Sequence, residues 1–448
     1  MKIGMPEAAA DIMKQLNKHG YEAYIVGGCV RDSILGKEPK DWDITTSATP
    51  EQTKEIFRRT IDTGIEHGTV TVMVGKVGYE VTTYRVDGKY EDHRRPSGVT
   101  YTASLTEDLK RRDFTINAMA YNDTEGLVDE FGGVDDLAHG VIRCVGIPQE
   151  RFDEDALRIL RAVRFAAQLD FEIDERTRQA IREKVRFLRD ISAERIREEL
   201  TKLITSEHPE KLLTAYELGI TGIVLPEFDA MKETPQNTIY HEYDVGGHTI
   251  EVMKHIDATP VLRWTALLHD VAKPVCRTTD EEGVDHFYGH PQNGCKMAYD
   301  CLRRLKMDND TIHRVERLVE WHDYDMKGGA TKKSLRKALN KMGPDLFEDV
   351  LKIKYADIMG QSSYRKEEKL EEYERLRKLY QEIIKDGECL TLNDLKMNGQ
   401  GLVGLGISPG PEMGKLLHYL LDQVLEHPEL NNTEDLSRLV REYDRNSI

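Results

Sequence analysis

The chain has 448 residues, 39% of them hydrophobic and 32% charged, with a formal net charge of -17 at neutral pH. It is too long for one core, so two to four domains are expected. So negative an average excludes a general affinity for nucleic acid, and such a partner would need a local basic face. The six cysteines, Cys29, Cys144, Cys276, Cys295, Cys301 and Cys389, are scattered with no CxxC pair. That fits reduced thiols rather than a disulfide framework or a zinc site. The N-terminal segment has no apolar core of signal-peptide length, and no stretch reaches the ~18 apolar residues of a membrane span. The expectation is a cytoplasmic protein with no membrane partner.

Residues 6–19 have the spacing of a short amphipathic helix. "AYIVGGCVRDSILG" then reads as strand, Gly-Gly turn and helix. "PKDWDITT", residues 39–46, reads as the end of a loop followed by a strand. The strand period of two puts Asp41, Asp43 and Thr45 on one face and Trp42 and Ile44 on the other. Asp is a poor strand former, and two like charges one pleat apart repel, so something positive is expected between them. "GTVTVMV" and "YEVTTYRV" flank Gly75–Gly78 and predict a hairpin. Residues 88–100 are polar and irregular, and a helix is predicted over "RRDFTINAMAYN" (111–122). After about residue 145 the strand signals stop. Residues 151–204 read as helices, residues 205–240 as helices broken at Pro209 and Pro226, and 245–360 as a His-rich helical block. A highly charged helix follows over 361–385, and "MNGQGLVGLGISPGPEMGKLL" is a Gly/Pro-rich turn region between the last helices. The fold class is α+β: a small mixed α/β head and a long all-helical remainder.

Cα atoms two apart in a strand are roughly 6–7 Å apart. That suits Asp41 and Asp43 to share divalent ions that clamp the two oxygens of an in-line phosphoryl displacement, and Mg²⁺ prefers carboxylates plus phosphate oxygens. A lone DxD is a frequent accident of exposed loops; its neighbours make this one informative. Gly27 and Gly28 stand between a strand and a helix, where backbone N–H groups can approach phosphates, and Arg31 lies one turn into that helix. Further on, "EDALRILRAVRFAAQL" sets Arg158, Arg161 and Arg164 on one side of a nearly all-apolar helix. A buried arginine row needs anions, and a triphosphate would supply them. Asp155 and Arg158 also suit a base edge. A carboxylate accepts from the exocyclic amine of C or A, and an arginine donates to the adjacent ring acceptor. G and U present the opposite polarity and would leave unpaired charges.

"GGCVRDSILGKEPKDWDITTSATPE", "RRDFTINAMAYN", "VDEFGGVDDL" (128–137), "RFDEDALRILRAVRFAAQL" (151–169) and "ERIREELTKLI" (194–204) occur in that order. This run resembles the class II tRNA nucleotidyltransferases and bacterial poly(A) polymerases, of the polymerase-β-like superfamily, over about residues 20–205. The resemblance implies a polymerase-β-like nucleotidyltransferase head over 1–145. A neck of nucleotide-selecting and RNA-binding helices over 146–205 and a helical linker over 206–240 would follow. It implies that Asp41 and Asp43 hold Mg²⁺, with Glu80 as a candidate third carboxylate. Gly28, Arg31, Arg112, Asp155, Arg158, Arg161 and Arg164 would contact the nucleotide, with Gly27 in the same turn. In that family an Asp and an Arg at positions 155 and 158 read incoming CTP and ATP, so no nucleic-acid template is needed.

The family contains enzymes adding CCA, CC, A or poly(A). "YEDHRRPSGVTYTASLTEDL" (90–109) resembles the flexible loop linked to the final A step, and "GLGISPGPEMGKLL" resembles the tail of bacterial CCA-adding enzymes. The stretch "LSRLVREYDRNSI" (436–448) does not resemble the basic C-terminal extension usual in poly(A) polymerases. CCA addition to tRNA, from CTP and ATP, is therefore expected, with poly(A) or A-only addition as the alternative. DNA is not an expected partner. tRNA would meet local basic faces such as "TKKSLRKALNK" (331–341).

The helical remainder holds a second constellation. His248, the pair His269–Asp270 at the end of an apolar helix, and Asp357 can converge on one divalent ion, and imidazoles with carboxylates suit Mn, Fe, Ni, Co or Zn. The pattern H…HD…D resembles the HD phosphohydrolase superfamily, and His290 and His322 would complete a binuclear version. An HD domain over 241–360 and a helical tail over 361–448 are expected. An HD phosphohydrolase with a nucleotide-sensing head is the rival reading.

Overall fold

The computed structural model describes residues 2–87, 99–325 and 328–446. The chain divides into two compact units, Met1–Asp229 and Ala230–Ile448. Of the loop expected at 90–109, residues 90–98 lie outside the described residues, and residues 99–109 are described.

In the first unit, α1 (Glu7–Lys18), β1 (Ala23–Val26), α2 (Gly28–Ile34), β2 (Ile44–Thr46), α3 (Pro50–Ile56), β3 (Thr60–Gly64), β4 (Thr69–Val74) and β5 (Val77–Thr83) follow one another. Then come β6 (Arg85–Asp87), β7 (Val99–Tyr101), α4 (Leu105–Lys110), β8 (Ala120–Asn122), β9 (Gly126–Val128), α5 (Gly133–His139) and β10 (Val141–Ile142). Seven strands form one sheet in the order β3-β4-β5-β2-β1-β8-β9, while β6 and β7 pair separately. β1 is apolar and buried at every position, as a central strand covered on both faces must be. The expected hairpin is β4–β5, closed by a two-residue turn between the partners Val74 and Val77.

Two expectations fail here. β2 starts at Ile44, so Asp41 and Asp43 lie in the approach to the strand and not on its face. Asp disfavours a pleated ladder, yet the Val26 N–H still donates to the Asp43 carbonyl at 3.0 Å. "RRDFTINAMAYN" is not a helix either: α4 stops at Lys110. The Asp113 carboxylate accepts from the Phe114 N–H (2.8 Å) and from Asn117 Nδ2 (3.2 Å), which closes a single 3₁₀ turn over Thr115–Asn117. Such side-chain bonds compete with a continuing helix, and the chain runs on into β8 beside β1.

α6 (Pro148–Glu154), α7 (Leu157–Leu169), β11 (Glu172–Ile173), α8 (Glu175–Lys184) and α9 (Ala193–Ile204) follow. β11 pairs in parallel with β10, a short ladder the sequence did not announce. α7 packs against α9. Leu157, Leu160, Val163 and Ala167 are all buried, as their spacing predicts. α10 (Leu212–Glu217), α11 (Thr221–Val224) and the start of α12 (Pro226–Lys232) complete the unit. Pro226 opens a helix rather than breaking one, the position where its missing N–H is not needed.

The second unit contains α13 (Val245–Lys254), α14 (Pro260–Leu268), α15 (Lys273–Cys276), β12 (Thr278–Thr279), β13 (Asp285–His286), α16 (His290–Arg304), α17 (Asn309–Trp321) and α18 (Lys332–Met342). It ends with α19 (Phe347–Gly360), α20 (Lys366–Lys385), α21 (Gly399–Gly404), α22 (Pro411–Glu426) and α23 (Thr433–Asn446). One core, with Leu339, Phe347, Leu376, Leu420 and Val424 fully buried in it, runs from α17 to α23. The basic stretch 331–341 is not the open face expected for tRNA. Lys332 pairs with Glu382 (2.8 Å), Lys333 with Glu426 (3.0 Å) and Arg336 with Glu388 (2.7 Å). α18 lies among acidic side chains of its own unit, which neutralise it. Among the described residues, no helix is long and apolar enough to cross a membrane.

Candidate active site and candidate metal centre

The parallel register of β2 on β5 aligns Ile44 with Val81, so the adjacent positions, Asp43 and Glu80, are neighbours. Asp43 is open to solvent yet sits among dense protein. Partial desolvation raises the pKa of its carboxyl, the charges of Glu80 and Asp41 add to this, and Arg112 opposes them. Three carboxylates that repel each other and face water are a donor set suited to a divalent cation, since a bound cation removes the repulsion.

Beside them is the Gly27–Gly28 turn. Gly27 has φ 78°, and a Cβ there would stand 3.0 Å from Arg112 Nη1. The Gly27 N–H is spent on the Met119 carbonyl at 3.1 Å, so phosphate contacts from this turn fall to the amides after it. Arg31 is braced by Asp32 (2.8 Å) and by Asn117 Oδ1 (2.7 Å). Its guanidinium also lies 5.1 Å from the ring centre of Phe165, a ring shared with Arg161 and Arg164. Gly27→Ala would strain the backbone by about 1–3 kcal/mol and displace Arg112. We expect a folded protein whose apparent KM for nucleotide rises several-fold, measured by steady-state incorporation.

In the arginine row of α7, Arg158 and Arg164 are buried and Arg161 is half-buried, and the counter-ions of all three are internal. Arg158 binds Glu154 (2.6 Å), Arg161 binds Asp113 (2.6 Å) and Arg164 binds Glu199 (2.5 Å). Burial alone would raise the pKa of Asp113; the Arg161 guanidinium outweighs it and holds the carboxyl at about 2. The need for anions is therefore met by the protein, and a triphosphate is not required to explain the row. Asp155 and Arg158 likewise have internal partners. Asp155 closes α6, accepts from the Leu157 N–H (3.0 Å) and pairs with Arg195 of α9 (2.7 Å). Arg158 donates to the Arg111 carbonyl at 2.9 Å. Asp113, Asn117, Phe165, Arg195 and Glu199 were missed as supports of this site. The first two lie within "RRDFTIN", whose unusual density of polar residues was the available signal.

In the second unit the helix ends bring the histidines together. His248 is on α13, His269 ends α14, His290 opens α16, His322 ends α17 and Asp357 is on α19. Each imidazole Nδ1 meets a backbone carbonyl: Gly360 (3.2 Å), Ala266 (2.7 Å), Phe287 (2.9 Å) and Val319 (2.7 Å), in the order of the histidines. A carbonyl only accepts, so every Nδ1 carries the hydrogen, and the four Nε2 lone pairs point inward. They fall into two groups, His248–His269–Asp357 and Asp270–His290–His322, each with ligand atoms within 4.8 Å of one another. His290 Nε2 and His322 Nε2 are only 3.2 Å apart. His269 Nε2 and Asp270 Oδ2 are buried 3.1 Å apart, and Lys273 Nζ lies 2.7 Å from the same oxygen. Inward lone pairs beside buried carboxylates, in two groups of three ligand atoms, fit a metal centre. Burial disfavours the charged form of Asp270, but His269 and Lys273 outweigh it and hold the carboxylate ionised. Gly360 lets α19 close onto α13, since a Cβ there would stand 3.2 Å from the Val252 nitrogen and 3.3 Å from His248 Nδ1.

Residues 23–143 match the family model described as "Poly A polymerase head domain". Residues 170–232 match "Probable RNA and SrmB- binding site of polymerase A", and residues 293–440 match tRNA nucleotidyltransferase domain 2. The CCA-adding enzyme of Levilactobacillus brevis is 37% identical over 423 residues, spanning 94% of this chain and 93% of its own length. That of Lactobacillus helveticus is 34% identical over 439 residues, 97% of each. The chain belongs to the CCA-adding enzyme family. The crystal structure of the Bacillus stearothermophilus CCA-adding enzyme in complex with CTP superposes with a TM-score of 0.73 at 28% identity, covering 99% of both chains. The Thermotoga maritima CCA-adding enzyme complexed with tRNA gives a TM-score of 0.62 at 21% identity, over 99% of this chain and 100% of its own, which speaks to the fold alone. The mixed α/β head with a helical remainder is the architecture of CCA-adding enzymes, as the resemblance implied. CCA-adding enzymes of this fold class work with a divalent metal, and in this member the crowded carboxylates Asp41, Asp43 and Glu80 are the donor set that fits one.

Proposed function

We propose that this protein adds CCA to the 3′ ends of tRNA from CTP and ATP without a nucleic-acid template. The observation that carries this is the carboxylate cluster of Asp41, Asp43 and Glu80 against the Gly27–Gly28 turn, in a chain alike to CCA-adding enzymes over nearly its whole length. The tRNA 3′-hydroxyl attacks the α-phosphate, its proton leaves to solvent, and pyrophosphate departs. Asp41 and Asp43, with Glu80, are the residues that would hold Mg²⁺, which when bound supplies charge to the attacking and leaving oxygens. Arg31 and Arg112 orient and neutralise the triphosphate. Asp155 and Arg158 read the base edge, Asp155 being aimed by Arg195. Head, neck and linker are assigned to 1–145, 146–205 and 206–240, and the enzyme acts in the cytoplasm on tRNA, not DNA.

The test is incubation of tRNA lacking CCA with each labelled nucleoside triphosphate singly and together, followed by sequencing of 3′ ends. Two cytidines from CTP alone and a terminal adenosine only with both would support the reading; runs of A would support the poly(A) alternative. Asp155→Ala or Arg158→Ala is expected to relax the choice among nucleotides by roughly tenfold or more, since a wrong base no longer strands a buried charge. Unchanged rejection of UTP and GTP in the same assay would move base reading elsewhere.

A second reading applies to residues 241–360. We propose a metal-dependent phosphohydrolase module, carried by the two buried His/Asp groups. Its substrates would be 2′,3′-cyclic or 2′-phosphates, which block a 3′ end from accepting nucleotides. Ring opening of the cyclic phosphate to a monophosphate, or release of inorganic phosphate from the 2′-phosphate, with Mn²⁺, Ni²⁺ or Co²⁺ tests it.

A further inference from the structure

The His/Asp centre opens into a cavity of about 630 Å³ lined in part by Asp270, His290, His322 and Asp357. Its rim is aromatic. Tyr288 is 78% exposed and Tyr240 is 40% exposed, and both line the cavity. A tyrosine so open to water at the mouth of a polar centre has no part in a core. Its ring is nevertheless ordered. It lies on the imidazole of His286 at 8° between planes, with 5.4 Å between ring centres. His286 is in turn fixed by Asp280 Oδ2 at 2.7 Å. The hairpin β12–β13 that carries His286 is pinned by Asp285, which is 3% exposed. That carboxylate accepts from the Asn237 N–H (2.9 Å) and Thr279 Oγ1 (2.7 Å) and pairs with Arg277 (3.0 Å).

We propose that Tyr288, backed by His286, is a stacking platform for a nucleobase, so that the centre takes a phosphate carried on a nucleoside rather than a bare phosphate. This rests on reading the centre as a phosphohydrolase site and names what that site selects. A planar, exposed, pre-oriented ring offers a π-face to any base. Tyr288 stands two residues before His290, one of the inward-pointing imidazoles, which couples the platform to the centre along the chain. Tyr240 forms another part of the wall. Its ring packs edge-on against Tyr364 at 5.4 Å, beneath the Lys369 ammonium at 4.9 Å. Lys369 also bonds Gln361 Oε1 (2.5 Å), and the Gln361 amide holds Asp357 (2.7 Å). Lys369 thus braces the wall from behind, Lys273 lines the cavity as its cation, and the rim presents rings, a pairing suited to a nucleotide and wasted on phosphate.

The test uses the full chain and 8-azidoadenosine 2′-monophosphate as a photo-crosslinker, with the labelled peptide identified by mass spectrometry. Labelling of the peptide containing residues 278–296 is expected. Unlabelled adenosine 2′-monophosphate, or tRNA ending in a 2′,3′-cyclic phosphate, should block it at concentrations about tenfold below those of inorganic phosphate. Whichever of the two blocks lower identifies the source of the nucleoside. Tyr288→Ala should erase that margin, Tyr288→Phe should keep it, and CCA addition should be unchanged in both. Parity between nucleotide and phosphate in the wild type, or a margin that survives Tyr288→Ala, overturns the platform. Absence of hydrolysis with any metal, with the margin intact, removes the phosphohydrolase reading and leaves a nucleotide-binding site.

Discussion

Asp43→Asn is expected to lower CCA addition by about a thousandfold or more, with Asp41→Asn close behind and no change in the folding transition. The figure follows from several kcal/mol of charge stabilisation lost with the metal, at about 1.4 kcal/mol per factor of ten. Folding should survive because Asp43 repels Glu80 and Asp41 in the free protein. Removing one charge relieves that repulsion, so the melting temperature should hold or rise. The same repulsion sets the sign of a pH effect. The folded pKa of Asp43 is raised, so its ionisation opposes the folded state: the cost is absent below the unfolded pKa and fully present above the folded one. Wild type should therefore lose a little stability as pH rises through the carboxylate range, and Asp43→Asn should lose less. Retention of more than a few per cent of activity, in single-turnover incorporation on tRNA lacking CCA, would remove the carboxylate assignment.

What was legible from sequence was local. β1, the Gly-Gly turn, α2 and the β4–β5 hairpin follow from apolar runs and turn residues at short range, and α7 from its 3.6-residue spacing. The DxD stretch was read correctly as chemistry and incorrectly as a strand. Asp41 and Asp43 precede β2, and Glu80 arrives from β5 through a parallel pairing that sequence proximity cannot reveal. The arginine row shows the same limit. The burial of Arg158 and Arg164 was predictable from their apolar neighbours, and the Glu154 partner of Arg158 is local, but the counter-ions of Arg161 and Arg164 come from 48 and 35 positions away, at Asp113 and Glu199. A side-chain bond from Asp113 also overrode the helical pattern of "RRDFTIN", where local hydrogen bonding competes with helix propagation. In the second unit the spacing of His248, His269, Asp270 and Asp357 suggested one centre. The fixing of each Nδ1 by a carbonyl was invisible, because those carbonyls belong to the backbone. The basic stretch at 331–341 misled for a related reason: charge along the chain says nothing of the acids folded against it.

The double substitution His269→Gln, Asp270→Asn should abolish metal binding and phosphate release in the second unit while leaving CCA addition to intact tRNA at the wild-type rate. Asp270 stands between the groups: its Oδ2 is 3.1 Å from His269 Nε2 and its Oδ1 is 3.3 Å from His290 Nε2. Losing its charge weakens both positions together. The Nε2 atoms of His290 and His322 face each other at 3.2 Å, and a metal bound there would take up their lone pairs. Wild type should therefore be stabilised by Mn²⁺ by about 2.7 kcal/mol at a hundredfold excess over Kd beyond any shift the head carboxylates contribute, whereas the double variant should keep only that head contribution. Calorimetry of both proteins with and without Mn²⁺, alongside 3′-end sequencing of the tRNA product, separates the possible roles. Loss of CCA addition in a folded double variant would mean that the histidines serve the head. A wild type whose melting temperature ignores every divalent metal would leave the centre as a structural network of His–Asp pairs, held together by the carbonyls that orient its rings.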